Sequence, residues 1–213
     1  MNWRLSGLYF VLDASGPREK VLRIAESALR GGVNLLQVWY PEKDGRESLT
    51  LTAAVKEKTT RYDVPLIISN DFALAAAVGA DGVHMDNFDR TPASLRELVG
   101  RDSIVGYTTG NDLDRVRWAE QRGADYISFC SIFPSISVAD CEIVPLETVQ
   151  RARELVKLPI FASGGINLSN AKMVLEAGVS GIAVISAIQR AKEPEETARK
   201  FRRIIDSVQL KAT

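Results

Sequence analysis

The sequence predicts an α/β protein with a (β/α)8 fold, a TIM barrel formed by one domain over residues 1–213. Short β-rich apolar runs alternate with amphipathic helical stretches along the whole chain. Eight strand–helix units share 213 residues, roughly 25 residues each, which is the low end of the size range of this barrel. No Gly-x-Gly-x-x-Gly follows the first strand, which disfavours the rival fold, a doubly wound dinucleotide-binding sheet.

The eight strands are predicted from apolar runs bounded by glycine, proline or polar residues. They are expected over residues 8–12, 34–39, 65–69, 82–85, 104–107, 126–129, 159–162 and 181–185. The helices are predicted from apolar positions spaced by about 3.6 residues. The first has its apolar face between residues 21 and 29 and ends at Gly31-Gly32. The others are expected over residues 49–62, 72–78, 92–99, 112–122, 146–156, 170–177 and 195–208.

A weak internal repeat supports the barrel. It consists of Gly31-Gly32-Val33-Asn34, Gly79-Ala80-Asp81-Gly82, Gly123-Ala124-Asp125-Tyr126 and Gly178-Val179-Ser180-Gly181. Each copy places a glycine between a helix and the next buried strand. The copies recur at every second unit, as expected of a barrel assembled from βαβα blocks.

Composition excludes several classes of protein. Lys plus Arg and Asp plus Glu both number 27, so the chain lacks the basic excess of a nucleic-acid binder. No stretch approaches the about 18 apolar residues of a membrane span, and residues 1–4 do not begin a signal peptide, so we expect a cytoplasmic location. Cys130 and Cys141 lack the spacing of a zinc site, and two cysteines are too few for a disulfide framework. The single histidine, His84, excludes any mechanism that needs two.

A barrel of this kind has its site at the carboxyl ends of the strands. The polar residues that follow the apolar runs are therefore the candidates. They are Asp13, Gln37 and Trp39, Asn70-Asp71, residues 86–89, Thr108-Thr109, residues 131–137, Ser163-Gly164-Gly165 and Ser186.

The last two of these segments predict a phosphate site. Barrels often bind phosphate in the loops after the seventh and eighth strands, beside a helix N-terminus. Gly164 and Gly165 allow backbone N–H groups to approach an anion, and Ser186 supplies a hydroxyl in the neighbouring loop. The alternative is that the two glycines form only a tight turn and that Ser186 caps a helix.

Asp71 and Asp89 are the candidate ligands of a divalent cation. Carboxylates after neighbouring strands suit Mg²⁺, which takes one or two of them together with substrate phosphates. The alternative is that each aspartate caps the helix that follows it. His84 lies within an apolar strand, where a packed, hydrogen-bonded histidine is more common than a catalytic one. Trp39 and Tyr40 either stack on a flat ligand or cover the barrel mouth.

Several motifs resemble those of the thiamine-phosphate synthase family, over about residues 8–201. They are Ser69-Asn70-Asp71, Gly79-Ala80-Asp81-Gly82-Val83-His84 with Asp89 five residues on, Gly123-Ala124-Asp125-Tyr126-Ile127, Ile132-Phe133-Pro134-Ser135, Gly164-Gly165-Ile166 and Ala183-Val184-Ile185-Ser186-Ala187-Ile188. Their order and spacing make the combination specific. A sister branch of the same fold includes a thiazole tautomerase.

The resemblance implies a (β/α)8 barrel that joins hydroxymethylpyrimidine pyrophosphate to hydroxyethylthiazole phosphate and releases pyrophosphate, with Mg²⁺ on the leaving group. It also implies a role for individual residues. Asn70 would face the pyrophosphate and the pyrimidine, Asp71 and Asp89 would hold Mg²⁺, Gln37 would meet the pyrimidine, Thr108 would lie beside the reacting centre, Ser135 and Ser137 would lie near the thiazole phosphate, and Gly164, Gly165, Ile185 and Ser186 would cradle that phosphate.

The chain departs from the family pattern at three cationic positions. Trp39 and Pro41 stand where the family has an arginine and a lysine, and Val138 stands where it has a second lysine. A two-residue slip would bring Lys43 to the first lysine's place, as a catalytic cation. Losing one preorganised charge partner typically costs about 3 kcal/mol of transition-state stabilisation.

Two other functions therefore stay open beside the synthase: a divergent isomerase or tautomerase, and a catalytically silent barrel that binds a thiazole phosphate. The tautomerase uses a histidine after the fifth strand, where this chain has Gly110. As partners we expect a small phosphorylated heterocyclic substrate, no nucleic acid and no membrane. A homodimer is left open.

Overall fold

The structure is a computed structural model that describes residues 3–41, 45–134 and 142–210, without the side chains of residues 45–47. Five residues named above lie outside the described part of the chain: Lys43, Ser135, Ser137, Val138 and Cys141. The roles expected of Lys43, Ser135 and Ser137 therefore stay predictions.

The described residues alternate between strands and helices as far as the last strand, which two helices follow. The strands are β1 (Gly7–Asp13), β2 (Leu35–Trp39), β3 (Leu66–Ser69), β4 (Gly82–Met85), β5 (Ile104–Thr108), β6 (Tyr126–Phe129), β7 (Ile160–Ala162) and β8 (Gly181–Val184). The helices are α1 (Arg18–Arg30), α2 (Gly45–Arg61), α3 (Phe72–Val78), α4 (Pro92–Val99), α5 (Leu113–Gln121), α6 (Leu146–Leu155), α7 (Ala171–Glu176), α8 (Ser186–Gln189) and α9 (Pro194–Gln209).

The strands form one closed parallel barrel in chain order, in which β1 pairs with both β2 and β8. This confirms the predicted fold class. The bounds of β4, β6, α3 and α4 agree with the prediction. The short helix α8 was not predicted, because four residues are too few to show a helical period. Among the described helices, none is both long and apolar enough to cross a membrane.

Alternation along each strand divides its side chains between two apolar layers. In β1, Leu8, Phe10 and Leu12 pack outward against the helices, whereas Tyr9 and Val11 point into the barrel. The outer layer is large and apolar. The inner layer is small, and the residues nearest the carboxyl end of the barrel are the ones free to line a site.

Three aromatic rings fill the middle of the barrel. Tyr9, Tyr126 and Phe161 pack edge to face, with ring centroids 5.2 to 6.0 Å apart. Gly106 lies on the neighbouring strand, and any side chain there would overlap the Tyr126 ring. The rings fill the interior of the barrel on the amino-terminal side of the cavity, so the open space lies at the carboxyl end.

The internal repeat in the sequence corresponds to four identical contacts at the amino end of the barrel, which we call the strand clips. The side chains of Asn34, Asp81, Asp125 and Ser180 accept the N–H groups of Leu8, Leu66, Val105 and Ile160 at 2.9, 2.8, 2.7 and 3.2 Å. The backbone N–H of each clip residue donates to the carbonyl of the same partner, at 2.7 to 2.9 Å. Each clip thus joins an even-numbered strand to the strand before it.

The glycines of the repeat explain why the motif recurs. Two residues before each clip residue stands a glycine with positive φ: Gly32, Gly79, Gly123 and Gly178, at 91°, 61°, 78° and 94°. Glycine adopts this left-handed conformation at little cost. The repeat therefore ends a helix and begins the next strand in register.

Candidate active site

A cavity of about 630 Å³ opens at the carboxyl end of the barrel. Every strand, or the residue directly after it, contributes to its lining: Tyr9, Gln37, Ser69, His84, Thr108, Ser128, Ser163 and Ala183 are one such set. The position agrees with the expectation for a barrel enzyme. The predicted residues that line it are Gln37, Trp39, Asp86, Thr108, Thr109, Ser163 and Ile185.

A hydrogen-bond chain that is exposed at one end and buried at the other begins at Asp86, directly after β4. The Thr108 hydroxyl donates to Asp86 Oδ1 at 2.7 Å. His84 Nε2 lies 2.8 Å from Thr108 Oγ1, and His84 Nδ1 lies 2.9 Å from the Tyr126 hydroxyl. His84 is thus hydrogen-bonded on both ring nitrogens, as predicted for a packed histidine, and it also lines the cavity.

The chain continues across the barrel to β1 and β2. The Tyr126 hydroxyl lies 2.9 Å from the Tyr9 hydroxyl, which in turn is hydrogen-bonded to Oε1 of Gln37. We call the whole series the relay; its members, in order, are Asp86, Thr108, His84, Tyr126, Tyr9 and Gln37. It brings together side chains from β1, β2, β4, β5 and β6, which no local sequence pattern could reveal.

Burial sets the protonation states along the relay. Loss of solvation lowers the pKa of His84, and the nearby Asp86 carboxylate opposes this only in part. Burial raises the pKa of the Tyr9 hydroxyl well above its usual range, and the hydroxyl of Tyr126 adds to that increase. Burial likewise raises the pKa of Tyr126. At neutral pH the phenols keep their protons and the neutral imidazole is favoured.

Asn70 supports Asp86 from the neighbouring strand end. Its Nδ2 donates to Asp86 Oδ2 at 2.6 Å, and its Oδ1 accepts the Asp86 N–H at 2.8 Å. Asn70 has a φ of 54°, a left-handed conformation that asparagine tolerates better than most residues. The side chain predicted to face the pyrophosphate is thus placed beside the cavity, where it holds the Asp86 carboxylate.

A second, smaller pocket of about 40 Å³ adjoins the cavity and shares Cys130, Ser163, Ala183 and Ile185 with it. All four residues of the predicted phosphate cradle line this pocket: Gly164, Gly165, Ile185 and Ser186. Ser186 is the first residue of α8, and Ile185, not Ser186, occupies the N-cap position. The alternative role of Ser186 as a cap is therefore wrong.

The glycines are required by the shape of this pocket. Gly164 has a φ of 93°, and a Cβ there would overlap the backbone of Ser131. Gly165 has a φ of 63°, and a Cβ would lie 2.7 Å from both Phe133 Cβ and Pro134 O. The turn is therefore not only a chain reversal, because the backbone atoms of both glycines pack directly against the loop that follows β6.

Ser131, which the sequence placed only among the polar residues after the sixth strand, lines the small pocket. Its Oγ is buried without a hydrogen-bond partner among the described residues. Its backbone has a φ of 55°, an uncommon conformation for a serine. A buried hydroxyl of this kind needs a partner, and a bound anion would supply one. Its torsion angle and burial are tertiary properties that the sequence does not display.

The predicted metal ligands lie at the outer side of the site. Asp71 Oδ1 accepts the N–H of Leu74 at 2.8 Å and caps α3, so the capping alternative is correct for Asp71. Asp89 is exposed, and the cap of α4 is Thr91. The two aspartates follow neighbouring strands. The residues that come directly after them, Phe72 and Arg90, are in contact, because the Arg90 guanidinium lies 4.6 Å from the centre of the Phe72 ring.

These carboxylates fit a cation held partly by substrate. Among the described residues, no three His, Cys, Asp or Glu side chains form a metal-binding group. Mg²⁺ commonly takes only one or two carboxylates and completes its shell with phosphate oxygens and water. Asp71 keeps Oδ2 beyond its capping bond, so the donor set suits such a shared cation.

The rim of the cavity is mainly acidic in the described part of the chain. Asp86, Asp112 and Glu142 line it together with one cation, Arg115, which also lies 5.1 Å from the Phe88 ring. Trp39 lines the cavity, which suits either role considered for it. The Tyr40 hydroxyl instead lies 2.9 Å from Thr52 Oγ1, and its ring packs on the outer layer, which supports neither of the two roles considered for it.

Comparison with known proteins extends these observations. The family model described as thiamine monophosphate synthase matches residues 8–188. The chain is 36% identical over 217 residues to the thiamine-phosphate synthase of Nitrosococcus oceani, covering 99% of this chain and 97% of the relative. Identity to the thiamine-phosphate synthase of Methanobrevibacter smithii is 35% over 188 residues, 88% of this chain and 90% of the relative.

A solved structure gives the same result at the level of the fold. The thiamine phosphate pyrophosphorylase from Pyrococcus furiosus superposes with a TM-score of 0.83 and 31% identity, over 95% of this chain and 96% of that one. The family match and the structural match both extend over most of the barrel. The chain therefore belongs to the thiamine monophosphate synthase family.

Proposed function

We propose that this protein joins hydroxymethylpyrimidine pyrophosphate to hydroxyethylthiazole phosphate, forming thiamine phosphate. The bond between the pyrimidine methylene carbon and the pyrophosphate oxygen breaks, and a bond from that carbon to the thiazole nitrogen forms. The pyrophosphate leaves with the electron pair of the broken bond. The observation that supports this activity is the pairing of the 630 Å³ cavity with a phosphate-sized pocket that shares its wall.

The two spaces suit the two substrates. In the proposal, Gln37 binds the pyrimidine, and Thr108 lies beside the reacting carbon. The small pocket takes the thiazole phosphate through the backbone N–H groups of Gly164 and Gly165, with the Ser131 and Ser186 hydroxyls as donors. Ser135 and Ser137 keep their predicted role near that phosphate.

Neutralising the leaving group is the main electrostatic task. Asp71 and Asp89 are proposed to hold Mg²⁺, which when bound offsets negative charge on the pyrophosphate. Arg115 lies at the rim of the cavity, and Lys43 is proposed as a further cation. Asn70 orients the rim by fixing Asp86. Family membership supports a small phosphorylated substrate, a cytoplasmic location stays a prediction, and a homodimer stays open.

The test is to incubate the purified protein with both substrates and Mg²⁺ and to measure thiamine phosphate and released pyrophosphate. Equal amounts of the two products are expected. No product, together with retained binding of the thiazole phosphate, would favour the silent binder. Isomerisation of the thiazole phosphate without use of the pyrimidine would favour the isomerase.

Asp71→Asn tests the metal role while keeping the helix cap, because asparagine caps as well as aspartate. We expect the Mg²⁺ concentration for half-maximal activity to rise at least tenfold in this variant. Asp102→Asn, an exposed change before β5 at the opposite end of the barrel, is the matched control. An unchanged Mg²⁺ requirement in Asp71→Asn would exclude Asp71 as a ligand.

A further inference from the structure

Asp86 is a carboxylate in the cavity wall whose charge no cation offsets in the described part of the chain. None of the described lysines and arginines forms an ion pair with it. His84 Nε2 lies 3.9 Å from its Oδ1, but burial lowers the pKa of that imidazole and favours the neutral form. Asp112, by contrast, pairs with Arg115 at 3.4 Å on the same rim. Asp86 therefore brings an uncompensated negative charge to the site.

Two neutral side chains hold both oxygens of this carboxylate in place. The Thr108 hydroxyl donates to Oδ1 at 2.7 Å, and Asn70 Nδ2 donates to Oδ2 at 2.6 Å. Such bonds fix the orientation of the carboxylate but leave its net charge unchanged. The Asp86 side chain is 54% exposed, so a ligand that fills the cavity would displace water from it. Removal of water strengthens the interaction between the carboxylate and a charge on that ligand.

The reaction proposed above creates positive charge close to this carboxylate. When the bond from the pyrimidine methylene carbon to the pyrophosphate oxygen breaks, both electrons leave with the pyrophosphate. The carbon is then positively charged until the thiazole nitrogen donates its electron pair to it, which moves the positive charge to the thiazolium ring. Thr108 is the residue assigned to this carbon, and Asp86 Oδ1 lies 2.7 Å from its hydroxyl oxygen. The negative charge thus lies where positive charge develops.

We propose that Asp86 is a catalytic residue whose carboxylate contacts the pyrimidine methylene carbon and stabilises the positive charge that forms there. The carboxylate acts as a fixed charge, forms no bond to the carbon and takes up no proton. A charge that is already oriented stabilises a transition state without the cost of reorganising solvent. The same charge repels pyrophosphate, which weakens the binding of that product. This inference rests on the proposed function for the identity of the reaction.

Two other roles of Asp86 would give different results. If Asp86 only held Asn70 and Thr108 in place, its charge would contribute nothing to a preference for a cationic ligand. If Asp86 bound Mg²⁺, it would hold pyrophosphate through the metal, and loss of its charge would weaken pyrophosphate binding. The proposal predicts the opposite, because removing a negative charge from the cavity removes a repulsion. The sign of the change in pyrophosphate affinity therefore separates these roles.

The first experiment needs no turnover. Calorimetry compares 4-amino-5-aminomethyl-2-methylpyrimidine, whose methylene carbon carries an ammonium group at neutral pH, with the neutral 4-amino-5-hydroxymethyl-2-methylpyrimidine. We expect the wild type to bind the ammonium compound about tenfold more tightly, because the carboxylate attracts it. Asp86→Asn should lose this preference. Asp114→Asn is the matched control, because that side chain is 90% exposed and pairs with Arg117 on the surface of α5. Equal affinities in the wild type, binding of neither compound, or an unchanged preference in Asp86→Asn would overturn the proposal.

The second experiment measures turnover and product binding in Asp86→Asn, after thermal unfolding has shown that the variant is folded. We expect kcat for thiamine phosphate to fall about tenfold or more, and pyrophosphate in the presence of Mg²⁺ to bind more tightly than it does to the wild type. An unchanged kcat, or weaker binding of pyrophosphate, would overturn the role of Asp86 while leaving the proposed function intact. Absence of product from the wild type would instead overturn the proposed function, and the preference for the ammonium compound would still decide whether Asp86 stabilises positive charge in the cavity.

Discussion

Replacing Gly164 with alanine tests whether the small pocket binds phosphate. The residue has a φ of 93°, and the new Cβ would overlap the backbone of Ser131 and lie 3.0 Å from the backbone nitrogen of Ile132. Two backbone hydrogen bonds hold that loop to the glycine turn, from Ile132 N to Ser163 O at 2.9 Å and from Phe133 N to Gly164 O at 3.1 Å. The added methyl group therefore has to displace the wall of the pocket.

The expected cost has two parts. A left-handed alanine costs about 1–2 kcal/mol relative to glycine. Overpacking against a backbone adds about 1–3 kcal/mol. Gly123→Ala separates these parts, because Gly123 has a φ of 78° and no heavy atom lies within 4 Å of the position of its Cβ. Gly164→Ala should therefore destabilise the protein by about 1–3 kcal/mol more than Gly123→Ala does.

Urea unfolding measures this difference, and binding measures its functional consequence. The affinity of Gly164→Ala for hydroxyethylthiazole phosphate should fall at least tenfold, about 1.4 kcal/mol. Its affinity for the pyrimidine substrate should change less, because that ligand is assigned to the larger cavity. Equal stability of the two variants, or an unchanged affinity for the thiazole phosphate, would refute the reasoning.

The strand clips and the buried histidine give two further predictions. Asp125→Ala removes the acceptor of the Val105 N–H and the partner of Arg96, so it should lower the free energy of unfolding by about 2–3 kcal/mol. Ser180→Ala removes only the acceptor of the Ile160 N–H and should lower it by about 1 kcal/mol. Equal losses in urea titrations would contradict this prediction. Burial lowers the pKa of His84 in the folded protein, so the imidazole binds a proton more readily in the unfolded chain than in the folded one. The free energy of unfolding should therefore decline as the pH falls below about 6.5, by at most about 1.4 kcal/mol per pH unit. His84→Gln should show a flatter decline between pH 7.5 and 5.5, which urea unfolding at several pH values measures.

Local signals placed most of the helices and strands. The signals for β4 and for the start of α4 at Thr91-Pro92 lie entirely within those segments. The reason is that β-rich composition, helix caps and proline determine the conformation of the residues next to them. The glycines at 164 and 165 also pointed to the small pocket through the known geometry of barrels. Helix α8 was not predicted because it is a single turn.

The functional side chains also divide into those that local sequence signals predicted and those that only tertiary contacts reveal. Thr108, Gly164, Gly165 and Ser186 were predicted because they follow apolar runs. Gln37 was predicted as a polar residue near the end of β2, and Ile185 only through the family resemblance. Asp86 stood among the polar residues after β4, but its bonds to Asn70 and Thr108 come from other strands. Asp71 shows the limit of such reasoning, because its carboxylate caps α3, and the sequence could not separate that role from the role of a metal ligand.

The sequence by itself determined the alternation of strands and helices, the fourfold glycine repeat and membership of a family, because each depends on residue types at short, regular spacings. Only the tertiary structure decided that Tyr9, Tyr126 and His84 form a hydrogen-bond chain, and that the Ser131 hydroxyl is buried without a partner among the described residues. The physical reason is barrel closure. It brings residues more than a hundred positions apart within hydrogen-bond distance, and such contacts have no local signature.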